Sequence, residues 1–281
     1  MDTTSLDAES PAKTEFPALS TLAFEVRDGG IGILRVNRPQ RMNSQTAEMF
    51  AEFGIAALAL RDLPLRALVL TGAGEKAFCA GYDLERIHEI TEMGSLEFLR
   101  FIEMCTAGIK GLRELPYPVI AAVHGAATGG GLSLALAADI RLVAPTAKFS
   151  AAFVKLGLSV GELGTSYNLT RLVGPGMAAE IAYTGRLVAA EEAVRIGLAN
   201  RVVDSESLMD EAIAMATAIA QNSPGGVRMS KRAIQRNQEV TSYAAALELE
   251  NRGQALLTRT EDMAEALAAF KEKRSPQFQN R

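Results

Sequence analysis

The groups in this chain best placed to do chemistry are backbone amides at two glycine turns. Residues 119–123, V-I-A-A-V, form a short apolar run suited to a buried strand, and Gly125 closes it. Gly129, Gly130 and Gly131 then bring the main chain to a point where no Cβ intervenes, and residues 132–138 continue with strong helix formers. A strand, a glycine turn and a helix start together present unpaired N–H groups to something negative. Gly81-Tyr82 offers a second such turn. One N–H from each turn could meet at a single carbonyl oxygen and stabilise an enolate or other oxyanion, where losing one donor typically costs about 3–4 kcal/mol. The glycine run fits neither G-x-x-x-x-G-K-[ST] nor G-x-G-x-x-G, which argues against a nucleotide phosphate cradle.

Side chains give weaker signals. Ser133 lies in a segment one residue short of a G-x-S-x-G nucleophile elbow, but that serine hydrolase pattern needs a later histidine, and His88 and His124 both precede it. His124 follows a buried strand directly and reads as a core residue, while His88 sits among charges on an exposed helix. Cys79 has no basic neighbour and reads as a buried, inert thiol.

The elements that must position these turns follow from periodicity. Residues 22–27 and 31–36 flank Asp28-Gly29-Gly30, a hairpin signal. Asn43 or Ser44 is placed to cap a helix to about residue 60, with Met49, Phe50, Phe53 and Leu58 on its apolar face. Strands are expected at 67–70, 140–143, 148–149 and 201–203, and a strand-to-turn passage at 77–84. Helices are expected at 96–115, 165–172, 178–183 and 190–196. From residue 205 the pattern is helical, at 208–221, 225–238, 243–257 and 261–273. The predicted organisation is a tail over 1–20 without packed structure, an α/β core over 21–204, and a helical region over 205–281.

Composition narrows the function. The chain has 281 residues, 48% hydrophobic and 22% charged, with a net charge of −4. That balance argues against nucleic-acid binding. Lys231-Arg232 and the cluster from Lys271 to Arg274 read as solvated helix faces, though a small anionic ligand could use them. Two cysteines and two histidines support neither a disulfide framework nor a metal site, and no apolar run is long enough for a membrane span. A cytoplasmic protein without metal is expected.

Taken together, A-F-C-A-G-Y-D-L at 77–84 and A-V-H-G-A-A-T-G-G-G at 122–131 resemble the paired signature of the crotonase (enoyl-CoA hydratase/isomerase) superfamily. Asn37-Arg38-Pro39, residues 138–141, 170–174 and 193–199, and residues 270–276 are similar to its other landmarks, so the resemblance spans about residues 21–278. It implies a spiral core of ββα units and a C-terminal helical region used for trimers or dimers of trimers. It also implies an acyl-CoA thioester as ligand, with coenzyme A entering as part of the substrate and no prosthetic group. Carried onto this chain, the thioester oxygen lies between the amides of Tyr82 and Gly130. Arg41, Ala80, Asp83, Leu84 and Lys271 fall where the family holds coenzyme A.

The resemblance breaks at the acids. Hydratases of this family use two glutamates, and this chain places Ser133 and Phe153 at those positions. Neither exchanges a proton near neutral pH. Glu162 is the best remaining acid, near where some isomerases of the family carry their single glutamate. One base suffices to move a proton from C2 to C4 of an enoyl thioester, and a partly buried Glu162 would have a raised pKa suited to that shuttle. The alternatives are a carboxylate merely facing a helix start, and a catalytically silent acyl-CoA binder. Phe101, Met104, Phe153, Tyr167 and Ser133 are candidate lining for the acyl group.

Overall fold

A computed structural model describes residues 16–281. Strands β1 (Leu22–Arg27) and β2 (Ile31–Val36) pair antiparallel, and Gly29 and Gly30 between them both take positive φ, 77° and 74°. Successive left-handed residues match the twist of a tight hairpin. Helix α1 (Ala47–Asp62) follows. Its cap is Thr46, whose hydroxyl accepts from the Met49 N–H at 3.2 Å, rather than Asn43 or Ser44. Asn43 is otherwise occupied, since its Oδ1 accepts from the Arg38 N–H at 2.9 Å while its Nδ2 donates to the Ala73 and Ala77 carbonyls. On α1, Met49, Phe50, Phe53 and Leu60 are buried, whereas Leu58 is exposed because it lies half a turn round from Met49.

Three successive passes then wind a spiral. The first pass is β3 (Ala67–Gly72), β4 (Ala77–Cys79), and the helices α2 (Ile87–Thr91) and α3 (Ser95–Arg113). The second is β5 (Val119–Val123), β6 (Ala126–Thr128) and α4 (Gly130–Ala137). The third is β7 (Ile140–Val143), β8 (Lys148–Ser150) and α5 (Thr165–Val173). In each pass the first strand joins one sheet and the second strand joins another. Helix α6 (Pro175–Thr184), β9 (Val188–Ala189), α7 (Ala190–Arg195) and β10 (Arg201–Val202) complete the sheets. The larger sheet runs β1-β2-β3-β5-β7-β10, and the smaller runs β4-β6-β8-β9. This is the expected spiral of ββα units; strand β6, hidden in the glycine-rich turn, is an addition to the sequence reading.

Strands β2, β3, β5 and β7 of the larger sheet, which run parallel, are buried on both faces, as parallel strands between layers must be. Leu34, Leu68, Leu70 and Ala121 face α1, α3 and α4, while Ile33, Val69 and Ile120 face the other way. That second face is covered by α8 (Leu208–Ala220) through Leu208, Ala212 and Ala216. The change of composition near residue 205 therefore coincides with no gap in the packing. Helices α9 (Pro224–Asn237), α10 (Tyr243–Leu257) and α11 (Glu261–Glu272) follow.

At the other end, most of the tail expected over 1–20 lies outside the described residues. Its last part is packed: Phe16 meets the Phe24 ring at 4.4 Å between centroids, and the Ser20 N–H donates to Glu52.

Lys231 is not on a solvated face. It is buried on α9, and its Nζ donates to the Tyr117 carbonyl at 2.9 Å and pairs with Asp139 at 2.8 Å. Asp139 also receives the Val119 N–H and the Gln235 amide, which ties α9 to the start of β5. Removing one partner of a buried pair strands the other charge. Lys231→Ala is thus expected to cost about 3–5 kcal/mol, measured by urea denaturation against the parent.

Candidate active site

The two glycine turns meet. The Gly81 and Gly129 positions both take positive φ, 89° and 53°. A Cβ on Gly81 would lie 2.7 Å from the Thr128 carbonyl oxygen and 3.6 Å from the Gly130 nitrogen, so only glycine lets the turns come this close. The Thr128 hydroxyl donates across the junction to the Ala80 carbonyl at 2.8 Å. Behind the junction, a Cβ on Gly131 would overlap the Cys79 carbonyl oxygen.

Gln45, which sequence reasoning passed over, binds both turns. Its N–H donates to the Gly81 carbonyl at 2.7 Å, its carbonyl accepts from Asp83 at 2.8 Å, and its Nε2 donates to the Gly130 carbonyl at 3.3 Å. Because Gln45 pairs with Tyr82 as in a parallel ladder, it takes the groups flanking Tyr82 and leaves Tyr82's own N–H facing away. Gly130 is the first residue of α4, so its N–H has no partner within that helix. Among the described residues neither amide has an acceptor. Two free donors on adjoining turns are what an oxyanion site needs.

The candidate acid stands on the loop before α5. Glu162 is half-buried, and burial pushes its pKa above the ordinary carboxylate value. The next residue, Leu163, holds φ at 50°, and Gly164 follows at 78°. A bulky residue in the left-handed region is strained, so the surrounding structure must hold this turn in place. Cys105 is buried on α3. Burial and then the Glu162 charge raise its thiol to about 12, and Cys105 in turn contributes to raising the Tyr82 phenol, which burial and Glu89 push to about 12.

The remaining candidates divide. Ser133 is buried, and its hydroxyl is engaged by Gly129 and Thr165 rather than by a histidine. The Phe153 ring is buried in the core and lies 3.9 Å from where a Gly129 Cβ would stand, so an apolar edge flanks the glycine turn. Phe101 packs edge-on against Phe50, and Met104 on the same helix is partly open. Tyr167 lies under the Arg171 guanidinium, 3.4 Å from the ring centroid. Cys79 is buried, with its thiol raised to about 12 by that burial; His124 is half-buried and His88 exposed.

Asp83 is a hub rather than a free group. Its two oxygens accept from Arg38 at 3.1 Å and Arg41 at 3.0 Å, and Arg41 also reaches Glu85. Burial alone would raise the Asp83 pKa, but the Arg41 and Arg38 hydrogen bonds hold it down to about 2. A folded pKa below the unfolded value means that this stabilisation is present above about pH 4 and lost as the pH falls toward 2. Acid unfolding of Asp83→Asn should accordingly depend less on pH across that window than the parent, followed by circular dichroism. Ala80 donates to the Met42 carbonyl, Leu84 is exposed, and Lys271 lies on α11.

A cavity of about 570 Å³ lies elsewhere. Arg113, Asp139, Arg141, Arg171 and Lys231 line it, and it reaches α4 only toward that helix's C-terminal end. Among the described residues no group of three or more His, Cys, Asp or Glu side chains is placed to hold a metal ion, and no helix is long and apolar enough to cross a membrane.

Residues 27–281 match the family model described as enoyl-CoA hydratase/isomerase. The chain belongs to the enoyl-CoA hydratase/isomerase family. It is 38% identical over 258 residues to a short-chain-enoyl-CoA hydratase of Clostridium acetobutylicum, covering 91% of this chain and 97% of that protein. A crotonyl-CoA hydratase of Syntrophomonas wolfei is 37% identical over 249 residues, covering 88% and 94%. The crystal structure of an enoyl-CoA hydratase from Bacillus anthracis superposes with a TM-score of 0.88 at 34% identity, covering 93% of this chain and all of that one. The protein is thus an acyl-CoA-processing enzyme of the hydratase/isomerase family, as its two signature turns imply.

Proposed function

We propose that this enzyme moves the double bond of an enoyl-CoA thioester between C3 and C2, with Glu162 as its single acid–base group. The observation that carries this reading is the contrast among three positions. Neither the Ser133 hydroxyl nor the Phe153 ring ionises near neutral pH, while Glu162 is a half-buried carboxylate whose raised pKa suits proton transfer. Glu162 takes a proton from C2 of a 3-enoyl thioester, and the electron pair passes to the thioester oxygen between the Tyr82 and Gly130 amides. The protonated acid then returns that proton at C4, leaving the conjugated 2-enoyl ester.

Arg41, Ala80, Asp83 and Leu84 lie together at the first turn and would hold coenzyme A, with Lys271 reaching a neighbouring subunit's phosphates. Phe101, Met104, Phe153 and Tyr167 would border the acyl chain. Exposed Tyr243 on α10 and Phe270 on α11 support assembly through the helical region, as a trimer or a dimer of trimers. The two free thiols, Cys79 and Cys105, fit a reducing compartment, and we place the enzyme in the cytoplasm. The test is absorbance of the conjugated thioester when the protein meets a 3-enoyl-CoA. Binding without turnover would instead make it a silent acyl-CoA binder.

A further inference from the structure

We propose that Ser133 is a positioning residue whose hydroxyl, with that of Thr165, fixes the oxyanion peptide and the Glu162 loop relative to one another. This rests on the reading of Glu162 as the base and of Gly130 as an oxyanion donor.

The hydrogen bonds form a directed chain. Ser133 Oγ and Thr165 Oγ1 lie 2.6 Å apart, both fully buried, and Ser133 Oγ also lies 3.3 Å from the Gly129 carbonyl oxygen. Thr165 Oγ1 has no other partner among the described residues. The proton arrangement that leaves neither hydroxyl hydrogen stranded has Thr165 donating to Ser133 and Ser133 donating to Gly129.

The carbonyl at the end of this chain is part of the oxyanion donor. The Gly129 C=O and the Gly130 N–H belong to one planar peptide unit, so holding the oxygen fixes where the N–H points. Ser133 grips that oxygen with its own N–H as well, at 3.1 Å. A carbonyl that accepts hydrogen bonds also polarises its peptide and makes the opposite N–H a stronger donor. Gly129 and Gly130 have no side chains that could anchor the unit, and Gly129 sits at positive φ.

The other end of the chain reaches the acid. Thr165 opens α5, and its N–H donates to the Glu162 carbonyl at 2.8 Å, across the strained Leu163-Gly164 turn. The hydroxyl pair therefore joins the first turn of α4, which carries the oxyanion amide, to the first turn of α5, which carries the base loop. At the position of a hydratase glutamate, serine supplies no proton to the substrate and instead ties together the parts that remain.

The test uses Ser133→Ala, Thr165→Val and Thr165→Ser in the full chain. Butyryl-CoA labelled with ¹³C at the thioester carbon serves as the probe, and 3-enoyl-CoA turnover is measured in parallel. Ser133→Ala and Thr165→Val should each lower kcat about 5–50-fold, less than the 10²–10³-fold typical of losing an oxyanion donor outright. KM should stay within about twofold. The infrared shift of the bound thioester carbonyl should shrink in both, and Thr165→Ser, which keeps the hydroxyl, should restore rate and shift. An unchanged carbonyl shift in Ser133→Ala and Thr165→Val overturns the proposal, as does a loss of rate that Thr165→Ser fails to restore. Glu162→Gln separates the two ideas. Turnover surviving that change sinks the base assignment, whereas the carbonyl shift, which needs no base, still reports on the hydroxyl pair.

Discussion

Glu162→Gln is expected to lower kcat for the 3-enoyl to 2-enoyl shift by about 10²–10⁴-fold while leaving acyl-CoA binding within about threefold. The amide keeps the size and polarity of the side chain but cannot take the C2 proton. Ser133 and Phe153, at the family's other acid positions, carry no carboxylate that could substitute. The pH profile should carry the same signature. Burial raises the Glu162 pKa, and a base works only when ionised, so kcat should fall on the acid side with a midpoint above that of an ordinary glutamate. The fall should vanish in the residual activity of Glu162→Gln. Single-turnover absorbance at saturating substrate measures both. Water addition persisting undiminished in Glu162→Gln would remove Glu162 from the mechanism.

How much of this was legible in the sequence follows from what kind of signal each part leaves. Gly81 and Gly131 mark close approach of main chains, where a Cβ would meet a carbonyl oxygen, so the residues alone offered the pairing of two turns as one arrangement and the family resemblance selected it. Glu162 stood out through the resemblance, as the remaining acid near where some isomerases of the family carry their single glutamate. Gln45 left no mark: its work is done chiefly by its backbone N–H and C=O, which every residue type except proline possesses, and by an amide that gives no periodic pattern. Lys231 was misread because a charge on an amphipathic helix normally faces water, and only the fold brings Asp139 beneath it. Likewise α8 has the composition of the helices after it, yet its small residues, Ala212 and Ala216, let it lie flat on the sheet. The helix cap is Thr46 rather than Asn43 or Ser44, and the Asn43 Oδ1 is taken by the Arg38 N–H, a competition that local propensity does not contain.

Gly131→Ala carries the other large expected effect, through displacement rather than loss of a chemical group. Its Cβ would overlap the Cys79 carbonyl oxygen and stand 2.7 Å from the carbonyl carbon, so the obstacle is main chain and cannot rotate away. At Gly130 the obstacle is the Gln45 side chain, which has torsions to yield. Relief at Gly131 therefore requires α4 to move off the end of β4. That motion separates the Gly130 amide from the Tyr82 amide, because Cys79 stands three residues before Tyr82 and Gly131 directly follows Gly130. Overpacking of this kind costs about 1–3 kcal/mol of stability, and a misplaced oxyanion donor costs about 10²–10³-fold in kcat. The matched control is Gly54→Ala in α1, where a Cβ meets nothing within 4 Å and a glycine-to-alanine change in a helix is favourable by roughly 0.5–1 kcal/mol. Urea denaturation and 3-enoyl-CoA turnover on the two variants should thus move in opposite directions for stability and differ by orders of magnitude in rate. A fully active, stable Gly131→Ala enzyme would mean that the two turns do not need this contact to bring their amides to one oxygen.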